Sequence, residues 1–158
     1  MKTWLLRIVL MLQIFGLVSL YAYHLSIEKT GKTYLLKAEP VDPRDLLSGD
    51  YVALQYTIST LPDRFDISGF NIPTYVTLQP IGTLWEIGDV NETPPNGDVP
   101  YLKGRASGRQ ISYGIERYYV PEGKGKQVPR DLYAEIVIQP GGTAQLKKLY
   151  SDGKPWPR

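Results

Sequence analysis

Three carboxylates lie close together in a stretch dense in Gly and Tyr. Asp42, Asp45 and Asp50 flank Arg44 and lead into Gly49-Asp50-Tyr51-Val52-Ala53-Leu54-Gln55-Tyr56. Paired carboxylates can divide general-acid and general-base work, or place oxygen ligands around a cation. The same residues also suit a structural corner. Asp side chains bond neighbouring amides in turns, Gly49 adopts backbone conformations that other residues resist, and an Asp-Arg pair at a surface is worth little. The corner needs fewer coincidences. Gly49, Asp50, Tyr51, Leu54, Tyr56 and the mid-strand Glu116 are therefore candidates for a functional or structural motif, with no catalytic residue among them.

Several chemistries are excluded by what the chain lacks. It has no cysteine, so disulfides, thiolate catalysis and Cys-based zinc sites drop out. His24 is the single histidine, which leaves little for a His-rich metal site or a Ser-His-Asp triad. No cofactor and no metal is expected. Gly123-Lys124-Gly125-Lys126 lacks the spacing of a phosphate loop and reads as a solvated turn. Leu46-Leu47-Ser48-Gly49-Asp50-Tyr51-Val52 echoes a phrase found in membrane-bound signal peptidases. The nucleophilic serine that should precede it is missing from Leu36 to Pro43, so shared activity fails for want of a nucleophile. Net charge is +2, and Lys2 and Arg7 account for the excess. A balanced remainder without a basic run excludes nucleic acid as a partner.

The elements that must position these residues begin with an apolar stretch. Trp4 to Tyr23 carries one charge, Arg7, and as a helix of about 20 residues would be roughly 30 Å long, the depth of a hydrocarbon core. Trp4 at one end and Tyr21 and Tyr23 at the other suit the two interfaces, and Arg7 can reach the nearer one. The small-residue pattern of a cleavage site is poor, because Leu20 stands two positions before Ala22. The expectation is an uncleaved single-pass anchor over residues 1–23, then a stalk over 24–32. Lys2 and Arg7 place the N-terminus in the cytoplasm and residues 33–158 outside, in the periplasm of a bacterial inner membrane. Gln13, near mid-membrane, can bond a partner helix.

The remainder alternates with a period of two. Tyr34, Leu36 and Ala38 share one face of a strand, as do Val52, Leu54, Tyr56 and Ile58, and as do Leu132, Ala134, Ile136 and Ile138. Tyr75–Gln79, Thr83–Ile87, Tyr101–Ala106 and Thr143–Tyr150 read as further strands. Gln110–Val120 reads as the longest, with Glu116 and Arg117 on opposite faces and Arg44 as a conceivable partner for Glu116. Gly and Pro clusters separate these runs. The expected fold is mainly β, an antiparallel sheet or barrel-like domain following one N-terminal transmembrane helix.

The phrase Gly49-Asp50-Tyr51-x-x-Leu54-x-Tyr56 resembles the motif that names the GDYXXLXY family of bacterial membrane-anchored proteins. Three later blocks resemble it too: Tyr113-Gly114-Ile115-Glu116-Arg117-Tyr118-Tyr119-Val120-Pro121-Glu122-Gly123, Ala134–Ile138 and Gly142–Tyr150. The resemblance implies a membrane-anchored protein without an established activity, often encoded beside multi-pass membrane proteins. The membrane, and a multi-pass protein within it, are the expected partners. The leading expectation is an extracytoplasmic accessory or interaction domain of the cell envelope. An envelope hydrolase or ligand-binding protein is the alternative, and requires two of Asp42, Asp45, Asp50 and Glu116 to converge in a pocket. A carbohydrate- or peptide-binding module is the third, and requires tyrosines lining one groove.

Overall fold

The computed structural model describes residues 2–41, 51–65, 67, 69–121 and 128–157, and on the helix the side chains of Trp4 and of 6–22. Asp42, Arg44, Asp45, Gly49 and Asp50, and the Gly123–Lys126 turn, lie outside the described residues. The chain forms two units, Met1–Gly31 and Lys32–Arg158.

The first unit is a helix, α1 (Lys2–Thr30), which runs on through the stretch expected to be a stalk. Leu, Met, Ile and Val dominate its described part, and every described side chain on it is exposed, Phe15 at 73% and Leu12 at 71%. A helix without a polar face does not match the one-sided stripe of a helix lying on a core. The contiguous described side chains cover about 17 residues, roughly 25 Å, and among the described residues no helix is long and apolar enough to cross a membrane.

The second unit is mainly β, built from curled antiparallel sheets. Its strands are β1 (Lys32–Val41), β2 (Tyr51–Tyr56), β3 (Ile72–Ile81), β4 (Leu84–Asn91), β5 (Tyr101–Ser107), β6 (Gln110–Ser112), β7 (Arg117–Tyr119), β8 (Leu132–Ile138), β9 (Ala144–Ser151) and β10 (Lys154–Trp156). A six-stranded sheet has the order β10-β9-β8-β1-β2-β7, and a four-stranded sheet the order β4-β3-β5-β6. One short 3-10 turn, Thr57–Ser59, leaves the end of β2.

The alternation places the core as the sequence implies. Tyr34, Leu36 and Ala38 of β1, Val52, Leu54 and Tyr56 of β2, and Leu132, Ala134 and Ile136 of β8 are buried from the first sheet. Val76 and Leu78 of β3, with Leu102 and Ala106 of β5, meet them from the second in a single cluster. Each fully buried Leu contributes about 1.5–3 kcal/mol, so the shared core favours the two sheets together over either alone. Gly104 sits where β5 passes β6. A Cβ there would stand 2.7 Å from Ile111 Cγ2 and 2.9 Å from the Ser112 carbonyl oxygen.

Three expectations need correction. Gln110–Val120 is not one strand. Alternation holds through Ile111, Tyr113 and Ile115, all buried, but the backbone turns at Gly114 (φ +80°). β6 therefore lies in the four-stranded sheet and β7 in the six-stranded one, and Arg117 and Tyr119 face solvent rather than continuing the buried row. Pro80 and Ile81 belong to β3, and the turn falls at Gly82-Thr83, because Pro80 pairs with Trp85 at the edge of the hairpin. A further strand, not among those expected, follows β9. Asp152 (φ +52°) and Gly153 (φ +71°) make a two-residue turn into β10.

β4 carries a bulge. Val76 pairs with Val90 but Leu78 with Ile87, which leaves one extra residue on β4 around Gly88 and Asp89. Side chains satisfy the released backbone groups. Thr77 Oγ1 accepts from the Asp89 amide at 2.7 Å, Gln79 Nε2 donates to the Ile87 carbonyl at 3.0 Å, and Arg64 Nη2 donates to the Gly88 carbonyl at 2.8 Å.

Candidate functional site

Of the expected motif residues, Leu54, Tyr56 and Glu116 meet in a closed corner. The segment from Tyr113 to Glu116 crosses from β6 to β7, and β2 runs alongside. Tyr56 Oη donates to the Ile115 carbonyl at 2.6 Å, and Tyr113 Oη donates to the Ile58 carbonyl at 2.6 Å. The two phenols thus exchange bonds between the end of β2 and the crossover. The Leu54 amide donates to the Glu116 carbonyl at 2.8 Å. The Glu116 carboxylate accepts the Tyr113 amide and so caps the turn that Gly114 makes possible. Burial raises both phenols far above the ordinary tyrosine value, and the Glu116 charge adds to the effect.

The bonds of this corner tie parts of the framework together. Leu54 and Tyr56 point into the core, and Glu116 spends a carboxylate oxygen on its own loop. Tyr51 lies on the other face of β2, opposite Tyr119 of β7, with ring centroids 6.2 Å apart and the Arg117 guanidinium 5.5 Å from its ring centre. The structure thus brings together Leu54, Tyr56 and Glu116, and sets Tyr51 apart from them. A recess of about 280 Å³ beside the corner is lined by Leu54, Ser59, Arg105, Gln110 and Glu116 among others, and among the described residues the buried Ser59 hydroxyl has no hydrogen-bond partner. Among the described residues, no group of three or more His, Cys, Asp or Glu is placed to hold a metal ion.

A second site lies on the outward face of the six-stranded sheet. Register sets Tyr133 of β8 opposite Tyr150 of β9, and Leu35 of β1 opposite Glu135 of β8. Directly opposed residues share a face, so two tyrosines, a leucine and a carboxylate form one surface. The tip of the β3–β4 hairpin, Thr83 to Trp85, forms a wall beside it. Together they enclose a cleft of about 620 Å³. Trp85 stands edge-to-face on Tyr34, with centroids 4.9 Å apart and planes at 83°. That contact ties the hairpin tip to the core edge of β1.

One hydrogen bond organises the polar side of the cleft. Tyr150 Oη donates to Glu135 Oε2 at 2.7 Å. Ionising the phenol would break this bond and set two negative charges together, so the bond chiefly, helped by burial and the Glu135 charge, raises the Tyr150 phenol above its usual value. The arrangement orients the carboxylate and keeps the phenol protonated. It supplies oxygen acceptors and hydroxyls beside aromatic faces. A convergent polar set in a cleft of this size suits binding of a small molecule.

Sequence reasoning did not reach these residues individually. It required tyrosines along one groove without saying which. The signal was present in the outward row of the Leu132–Gln139 strand, where Tyr133 and Glu135 fall. Trp85 and Tyr34 come to the cleft from other strands, and only the sheet register brings them there.

No curated protein and no solved structure matches the chain. A family model described as GDYXXLXY protein matches residues 13–149, a span that takes in the corner and β1 to β8 and stops just before Tyr150 of the cleft. By that match over most of its length, the chain belongs to the GDYXXLXY protein family.

Proposed function

We propose that this protein is a membrane-anchored accessory domain of the bacterial cell envelope, with α1 as its anchor and the β unit on the extracytoplasmic side. It acts by binding rather than by catalysis. The observation that carries this reading is the character of α1. Apart from Arg7, Gln13 and Ser19, its described side chains are apolar or aromatic and exposed all round, and Lys2 and Arg7 stand at the N-terminal end. Taken over Trp4 to Tyr23, the apolar run is about 20 residues, roughly the depth of a hydrocarbon core. The positive charges then hold the N-terminus inside. Gln13 offers a hydrogen bond to a neighbouring helix, such as that of a multi-pass membrane protein.

Of the carboxylates that the enzymatic alternative would use, Glu116 has one oxygen committed to the Tyr113 amide in a turn, and Asp42, Asp45 and Asp50 lie outside the described residues.

The test uses the full chain with a reporter enzyme, active only outside the cytoplasm, fused after Arg158. The chain is expected in the membrane pellet after an alkaline wash, with the reporter active, and removal of residues 2–23 should abolish both. Recovery of the intact chain in the soluble fraction of a detergent-free lysate would overturn the anchor. Capture from detergent extracts, with and without residues 2–23, then tests the accessory role. Recovery of no membrane partner with either form counts against it.

A further inference from the structure

The chemistry of the cleft selects among ligands by elimination. Its aromatic members, Tyr34, Trp85, Tyr133 and Tyr150, offer ring faces and edges to a ligand with apolar surface. Its polar members are the Glu135 carboxylate and the hydroxyls of Thr33, Thr83 and Tyr150. Among the described residues no lysine or arginine lines it and Glu135 does, so the wall itself disfavours a phosphate or carboxylate. A cation is disfavoured for a different reason. Lys37 stands opposite Tyr133 and Lys148 opposite Glu135 in the strand register, on the same outward face. Two ammonium groups outside the lining, on the same face, offset the Glu135 charge that would draw a cation in.

What remains is a neutral ligand that donates hydrogen bonds and has flat apolar faces. A saccharide ring meets both demands. Its axial C–H groups lie on aromatic rings, and its hydroxyls donate to a carboxylate and exchange bonds with threonine and tyrosine hydroxyls. Glu135 is already oriented for this, because Tyr150 holds one of its oxygens at 2.7 Å and, among the described residues, the other is left to a ligand. A charge-assisted bond to that oxygen is worth roughly twice a neutral one, so Glu135 sets both affinity and orientation. The volume, about 620 Å³, accommodates one or two sugar rings.

We propose that the cleft between the β3–β4 hairpin tip and the outward face of β1, β8 and β9 is a binding site for a neutral saccharide. This assignment does not rest on where α1 lies, so the anchor and the cleft can fail separately.

The experiment titrates the full chain, held in a detergent without a sugar headgroup, with chitobiose and with cellobiose. The readout is the three tryptophan indole N–H signals in a proton–nitrogen correlation spectrum, with Trp85 assigned through Trp85→Phe. A saturable shift of the Trp85 signal is expected, with Trp4 and Trp156 unmoved. Glu135→Gln should weaken the response about tenfold or more, the loss expected for one charge-assisted bond. Tyr150→Phe, which frees the carboxylate from its orienting partner, should weaken it less. Both side chains are on the outward face, and an unchanged spectrum away from the cleft shows that the variants remain folded. Spermidine and glucuronate serve as cationic and anionic competitors. If Trp85 ignores both disaccharides up to their solubility, or responds to spermidine or glucuronate in their place, or responds equally in Glu135→Gln, the proposal is overturned.

Discussion

Tyr56 and Tyr113 at the corner, and Tyr133 and Tyr150 in the cleft, are the same residue in opposite circumstances. The corner phenols are buried and donate to carbonyls of segments more than fifty residues away in sequence. Tyr150 donates to a side chain on the neighbouring strand, and its ring borders open space. Glutamate divides the same way. Glu116 closes a turn with its carboxylate, whereas Glu135 keeps a carboxylate oxygen at the surface of a cleft. Both places combine tyrosine with glutamate, so residue type alone does not separate framework from site. The partner of each hydrogen bond does. A phenol fixed on a distant backbone carbonyl is part of the scaffold; one that orients a side chain is available to a ligand.

The largest test of this division is alkaline pH. Burial holds the Tyr56 and Tyr113 phenols protonated well above their ordinary value of 10.0. The unfolded chain loses those protons above about pH 10 while the folded one keeps them. The contribution is therefore complete below pH 10 and lost as pH rises beyond it, at about 1.4 kcal/mol per pH unit for each phenol. Denaturant midpoints measured from pH 9 to pH 11 should fall by an amount equivalent to about 3 kcal/mol at the upper end. Tyr56→Phe should remove a large share of that dependence, and Tyr150→Phe, whose phenol is raised chiefly by its bond to Glu135, should remove less. Equal slopes in both variants would erase the distinction.

At neutral pH the effects are smaller. Tyr56→Phe or Tyr113→Phe leaves a buried carbonyl unpaired, at a cost of about 1–3 kcal/mol each. For a unit of this size, that lowers the melting temperature by several degrees, while Tyr150→Phe should melt with the native protein. The two corner variants share one crossover, so the double variant should depart from additivity. Smallest is Glu116→Ala, which removes the cap on the Tyr113 amide and should cost about 1 kcal/mol, readable as a small fall in urea midpoint. A Glu116→Ala protein that folds normally but loses saccharide binding would move Glu116 from the scaffold to the site.

Much of the β framework was legible in the sequence because burial follows a period of two. β1, β2, β5 and β8 each bury the row of side chains that alternation selects. The crossover was illegible for the same reason. Ile111, Tyr113 and Ile115 alternate across the turn, since the crossover carries the chain from one sheet's core face to the other's. Gly114 was the one local sign. β10 had a sign too, the Asp152-Gly153 pair, which forms a primed hairpin turn. The corner was legible as a phrase, although its partners at Tyr113 and Ile115 were not. The cleft depends on register between β1, β8 and β9 and on where a distant hairpin tip comes to rest, and neither is encoded in a short stretch.

The bulge on β4 bears on more than local geometry. β4 is the outermost strand of its sheet, and an outermost strand invites pairing with another copy of the same chain. A bulge interrupts the regular ladder that such pairing needs, and Arg64 already occupies the Gly88 carbonyl and brings a positive charge to that margin. If the protein is held by its helix in a crowded two-dimensional layer, neighbouring copies meet often and side by side. The margin that Arg64 guards is then a device for keeping them separate, and its value lies in association that does not occur.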